Sequence, residues 1–178
     1  MGPLTKEIML AALTELNESL ARDRPNEFIS MIMGGGGAMI LAHGFPRGTM
    51  DIDAIPRGMS PEVLTPQVHE IAKKLSLPAD WLNPYFSTFS HVLPVDYAER
   101  LVEVYKGNHL KVDALGKEEM LIMKCFAART KDIPHARALI KRNADLRLVE
   151  ARLEELLKKR IPGAQKAIDF LQVILDES

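Results

Sequence analysis

Cysteine is almost missing from this chain: Cys125 is the single one in 178 residues. No disulfide can close within it, so the expected setting is a reducing, intracellular one. Metal-ligand spacing is missing too. The five histidines, His43, His69, His91, His109 and His135, show neither His-x-x-x-His nor paired-cysteine patterns, which argues against a structural zinc site. No long hydrophobic run exists. The longest, Phe28 to Ala42, is interrupted by four glycines and falls short of the roughly 20 apolar residues that span a bilayer. The first residues lack the basic-then-apolar order of a signal peptide. The expectation is a cytoplasmic protein with no membrane association. Excess charge is also lacking: a net charge of −1 excludes the chain-wide basic field of a DNA-coating protein. Any nucleic-acid contact must come from a local patch. No internal repeat or low-complexity tract is visible.

What is present is an ordinary globular mixture, 47% hydrophobic and 26% charged, enough to bury one core without disulfides. Apolar residues at helical spacing from Leu4 to about Arg22 predict an amphipathic first helix ending before Pro25. The run 28-FISMIM-33 reads as a buried strand entering a corner of four glycines. Ala38 to His43 suits a short helix, and 49-TMDIDAI-55 alternates as a half-buried strand does, with Met50, Ile52 and Ala54 on one side. Pro61 opens a helix running to about Leu75, and 78-PADWLNPYFSTF-89 is a turn-rich connection. The runs 101-LVEVY-105 and 109-HLKVDAL-115 form a hairpin through Lys106, Gly107 and Asn108. Helices follow over about 117–130, from Pro134, over about 146–160, and after Pro162-Gly163. This order predicts an α+β fold, a small mixed sheet flanked by helices with a helical C-terminal half. The expected division is a core at 1–116 and a helical region at 117–178 packed on it.

The chemistry concentrates in 33-MGGGGAMILAHGFPRGTMDIDAIP-56. Glycine at a strand-to-helix corner permits positive φ and close backbone approach, and a helix start favours an anion. No Gly-Lys-Ser/Thr follows, so this is not a Walker A loop, and no G-x-G-x-x-G spacing fits a dinucleotide fingerprint. Asp51 and Asp53, two apart on a strand, project to one side. Two carboxylates held that close repel unless a cation lies between them, and hard oxygen donors suit Mg²⁺. The other reading is a structural corner followed by a solvated acidic strand end.

The run Gly35-Gly36-x-Ala38, then Arg47-x-Thr49-x-Asp51-Ile52-Asp53, resembles the signature of the nucleotidyltransferase superfamily. The closer resemblance is to bacterial nucleotidyltransferase-like proteins of AbiEii or DUF6036 type, some belonging to toxin–antitoxin systems. The segments 80-DWLNP-84 and 118-EEMLIMKCFAARTKD-132 are similar to segments of that group. The resemblance implies a nucleotidyltransferase-like core and Mg²⁺ or Mn²⁺ held by Asp51 and Asp53. It implies a triphosphate contacted by Gly35, Gly36, Arg47 and Thr49, and a further contribution from Lys124 and Asp132. Where relatives often carry another aspartate, this chain has His135. For a third carboxylate the candidates are Asp113 and Glu103, neither in a distinctive motif; Asp113 is preferred because it immediately precedes the helix bearing Lys124, and a surface role is its other reading.

Taken as residues alone, Lys124, Ala128 and Asp132 would share a stripe if one helix ran through them, although Pro134 favours a break near Asp132 and a capping role there. Arg47 is a phosphate contact or a turn cation. His43 and Trp81 read as structural, Cys125 as buried, and Lys158-Lys159-Arg160 as a complement to a helix dipole. The expected activity is transfer of a nucleoside monophosphate from a nucleoside triphosphate to a hydroxyl on RNA such as tRNA, a protein or a small molecule. A cognate antitoxin is a candidate partner. The alternatives are a catalytically weak nucleotide-binding or regulatory module, and a structural helical adaptor.

Overall fold

The computed structural model describes residues 2–177, and its contacts divide them into two units. The first comprises the chain up to 87 together with 101–115; the second comprises 88–100 and everything from 116 on.

In the first unit, α1 (Lys6–Asp23) begins where the Thr5 hydroxyl accepts from the Ile8 N–H, which satisfies one of the donors a helix start leaves unpaired. Its buried stripe is Met9, Ala12, Leu13, Leu16 and Leu20, whereas Ile8 is exposed. The strands are β1 (Ile29–Met33), β2 (Ile52–Pro56), β3 (Leu82–Asn83), β4 (Val102–Lys106) and β5 (Leu110–Ala114). They form one sheet in the order β3-β2-β1-β5-β4. β1 runs antiparallel to β2 and parallel to β5, and β4 closes the edge antiparallel to β5. The expected hairpin is present, closed by the Gly107 N–H on Leu110 O at 2.8 Å.

Three local expectations shift. The glycines do not merely precede a helix: α2 (Gly35–Leu41) starts within them. The helix expected from Pro61 is divided into a 3-10 turn, Pro61–Leu64, and α3 (Thr65–Leu75), because Pro66 has no N–H with which to continue the preceding turn. The segment read as turns contains β3, docked by the Ile52 N–H on Trp81 O at 2.6 Å. Trp81 is fully buried and donates its indole N–H to Val68 O at 3.0 Å.

The second unit is helical: α4 (Lys117–Ala127), α5 (Ile133–Lys141), α6 (Leu146–Lys158) and α7 (Ala164–Asp176). The Asp145 carboxylate caps α6 by accepting from the Arg147 and Leu148 N–H groups. Arg152 ties the 88–100 segment to α6 by donating to Val92 O at 2.9 Å and Leu93 O at 2.7 Å. The fold class is therefore α+β, a five-stranded mixed sheet flanked by helices with a helical C-terminal part. Among the described residues, no helix is long and apolar enough to cross a membrane.

Candidate functional site

Ladder register decides which side chains can meet. The Gly34 N–H donates to Asp53 O at 2.8 Å and so extends the β1–β2 ladder by one pair beyond Met33 and Ala54. Ile32 is opposite Ile55 on one side and opposite Asp113 on the other, while Asp53 is opposite Asn83 of β3. Residues directly opposite share a face, and alternate residues along one strand do too. Asp53, Asn83, Ile32 and Asp113 therefore lie on the same face of the sheet. Ile52 and Ala54 face the other way and are buried; Met50, expected with them, precedes the strand and is exposed.

The glycine corner is shaped around two of the predicted side chains. A Cβ on Gly35 would overlap Asp53 Oδ2, and a Cβ on Gly36 would overlap Thr49 Oγ1. Gly35 also has φ +62°, a conformation that a residue with a Cβ adopts only with strain. The corner is thus where the Asp53 carboxylate and the Thr49 hydroxyl reach the first turn of α2. Thr49 is held by a two-residue bridge to Leu4: the Leu4 N–H donates to Thr49 O at 2.6 Å and the Thr49 N–H donates to Leu4 O at 3.1 Å.

Asp51 stands just before β2, half-buried, and its Oδ2 accepts from Asn83 Nδ2 at 3.0 Å. Asn83 is itself buried and fixed by two more bonds. It was not singled out from the sequence. The only signal was its place in 80-DWLNP-84, where an Asn-Pro pair marks a turn.

The preferred third carboxylate, Asp113, is buried and ion-paired with Lys111 at 3.1 Å; the alternative, Glu103, approaches the same lysine at 3.6 Å. Arg47 is exposed and lines an open cleft of about 430 Å³ together with Lys6, Phe45 and Gly48. Neither Asp51 nor Asp53 lines that cleft. Among the described residues, no three carboxylates, imidazoles or thiols gather as a closed metal cage. Mg²⁺ does not require one, since it keeps several waters and binds through one or two carboxylates plus substrate phosphates. Asp53, pressed against a glycine that leaves it room, and Asp51, held by the Asn83 that lies opposite Asp53, supply the kind of oxygen donors that such an ion takes, and the Thr49 hydroxyl reaches the same helix turn as Asp53.

In the second unit, Lys124 and Asp132 come together, but not along one helix. α4 stops at Ala127, and Ala128 turns the chain with φ 45°, a left-handed residue that ends the helix earlier than the expected Thr130. A 3-10 turn, Thr130–Asp132, then brings Asp132 back, and Lys124 Nζ lies 3.1 Å from Asp132 Oδ1. Arg129 Nε donates to Asp132 Oδ2 at 2.6 Å. Burial opposes ionisation of Asp132, but the Arg129 hydrogen bond and the Lys124 charge outweigh it and hold the carboxyl below its usual range. Half-buried His135 is pushed down to about 4, first by desolvation and then by the Lys124 cation.

The residues read as structural behave so. His43 is buried with Nε2 2.9 Å from Leu115 O. Burial pushes the Cys125 thiol up to about 12, so it is no nucleophile at neutral pH.

The family described as "Nucleotidyltransferase of unknown function (DUF6036)" matches residues 9–171. The chain belongs to this family. The match includes the glycine corner, both aspartates, Asn83, and the Lys124–Asp132 segment, so the DUF6036 nucleotidyltransferase region takes in residues of both units. No curated protein and no solved structure matches the chain. A general nucleotidyltransferase role follows from the family; the metal, substrates and biological setting do not.

Proposed function

We propose that this nucleotidyltransferase is metal-dependent and moves a nucleoside monophosphate from a nucleoside triphosphate to an acceptor hydroxyl. The observation that carries this reading is the Asp53 carboxylate lying in the space left by Gly35, with Asp51 anchored on the same strand approach. Asp51 and Asp53 would hold Mg²⁺ or Mn²⁺, which when bound supplies Lewis-acid polarisation and neutralises phosphate charge. The rest is positioning. The first N–H groups of α2 have no partner within the helix, and both the Asp53 carboxylate and the Thr49 hydroxyl reach that first turn. The N–H groups and the hydroxyl orient the triphosphate so that the acceptor oxygen meets the α-phosphorus in line with the pyrophosphate leaving group. Exposed Arg47 offers a cation to the polyphosphate. Asp113 joins as a third carboxylate once Lys111 turns away. Lys124 and Asp132 enter the proposal through the AbiEii resemblance, which also suggests a toxin–antitoxin role, a cognate antitoxin as partner, and tRNA or protein as acceptor.

A second reading, a catalytically weak nucleotide-binding or regulatory module, is favoured by Asp113 being committed to Lys111 and Lys124 to Asp132. One experiment separates them. The protein is incubated with each labelled nucleoside triphosphate, Mg²⁺ and cell extract, beside the Asp51→Ala/Asp53→Ala variant. Label transferred to a macromolecule only by the wild type supports transfer. Metal-dependent nucleotide binding without label or pyrophosphate release supports the second reading, and equal labelling by the variant rejects the proposal.

A further inference from the structure

The structure assigns Asn83 as the positioning residue for Asp51, fixing which carboxylate oxygen faces a divalent cation; this rests on reading Asp51 and Asp53 as the cation site. Asn83 is 5% exposed and lies opposite Asp53 on the edge strand β3. Every polar group of its side chain is engaged. Nδ2 donates to Asp51 Oδ2 at 3.0 Å and to Asp80 O at 3.3 Å, and Oδ1 accepts from the Tyr85 N–H at 3.0 Å.

This arrangement sets the amide orientation. A flipped amide would place its oxygen against the Asp51 carboxylate and Asp80 O and its NH₂ against the Tyr85 N–H, giving three repulsive contacts for three bonds. With Oδ2 occupied, Asp51 keeps Oδ1 as the oxygen without a hydrogen bond among the described residues. A carboxylate pinned in this way binds through one known oxygen, and such outer partners typically change metal affinity about 10- to 100-fold when removed. The platform under Asn83 is rigid, because Trp81, two residues earlier, is clamped by Ile52 on the backbone side and by Val68 on the indole side.

A purely local explanation exists: Asn83 Oδ1 on the Tyr85 N–H is an Asx turn, needed only to bend the chain at Pro84. It does not account for the bond to Asp51, 32 positions away in sequence. The two roles separate in Asn83→Ser, whose hydroxyl can still accept from the Tyr85 N–H but is too short to reach Asp51.

Mn²⁺ alone is titrated into wild type, Asn83→Ser, Asp51→Ala and the double variant, with bound metal read by electron paramagnetic resonance and folding by circular dichroism. The expected result is at least tenfold weaker Mn²⁺ binding in folded Asn83→Ser, with no further loss when serine is added to Asp51→Ala. Wild-type affinity in Asn83→Ser, with Asp51→Ala weakened, overturns the positioning role and leaves the cation site standing. Further loss in the double variant also overturns it, because Asn83 would then act without Asp51. Unchanged affinity in Asp51→Ala rejects the cation-site reading itself. Should Asn83→Ser fail to fold, the wild-type Asn83 side-chain NH₂ resonances are followed during a Mg²⁺ titration. Shifts with the midpoint of metal binding support the assignment, and resonances that stay still overturn it.

Discussion

The Asp53 carboxylate lies where the side chain of any other residue at position 35 would have to stand. Gly35→Ala meets both that overlap and a φ of +62°. The backbone strain alone costs about 1–2 kcal/mol. The expected outcome is a folded but less stable protein in which displacement of Asp53 removes Mn²⁺ binding. Urea unfolding and a Mn²⁺ titration check the two halves separately. Wild-type metal affinity in Gly35→Ala would show that the contact has no bearing on the cation.

Lys124→Met removes one partner from a buried pair while leaving Asp132 fully enclosed. Breaking such a pair costs about 3–5 kcal/mol; the remaining Arg129 bond places the expected loss toward the lower end. Urea unfolding at neutral pH measures it. Transfer assays on this variant have meaning only at temperatures where it stays folded.

His135 gives the protein an acid sensitivity of known sign. Unfolded histidine titrates near 6.5, whereas the folded value is about 4, because burial and the Lys124 cation disfavour the charged ring. Between these two values the unfolded chain holds a proton that the folded chain does not, so stability falls as pH drops from about 6.5 to about 4 and this contribution then levels off. The loss from this one group is up to roughly 3 kcal/mol. His135→Asn should flatten the stability profile in that window, as measured by chemical denaturation at a series of pH values. A slope identical to wild type would place the sensitivity elsewhere.

Cys125 should resist thiol reagents at neutral pH in the native protein and react once it unfolds, since the side chain is buried and its thiol is pushed up to about 12. The rate of modification in mild urea then reports opening of α4. Rapid labelling of the native protein would contradict this burial.

Much of the fold and part of the site were legible in the sequence, and the reasons differ by residue. Strands β1, β2, β4 and β5 announce themselves through short apolar or alternating runs. β3 does not: two residues carry no period, and only the neighbouring strand gives them their conformation. The pair Asp51 and Asp53 was visible because alternation is local, but Asn83 was not, since its importance lies in a partner 32 positions away. Lys124 and Asp132 stood out through the family resemblance, and Pro134 already favoured a break near Asp132, but nothing local showed how the two side chains meet. They meet through the left-handed turn at Ala128, a conformation that alanine composition gives no hint of. Asp113 was visible as a candidate, while its pairing with Lys111 depends on side-chain placement across one sheet face.

The opposed ladders on either side of β1 have a consequence for how such a chain can change length. Asp53 is fixed by its pairing across from Gly34, and Asp113 by its pairing across from Ile32; neither placement is set by the loop that leads to it. Residues 42–48, between α2 and the Leu4–Thr49 bridge, therefore set neither placement, and a change of length there that spares Arg47 and the buried His43 should leave both carboxylates in register. A single deletion at Ile52 would do the opposite: to keep the ladder, the acidic side chain at 51 would have to move onto the buried face. Length is negotiable around this site, and parity is not.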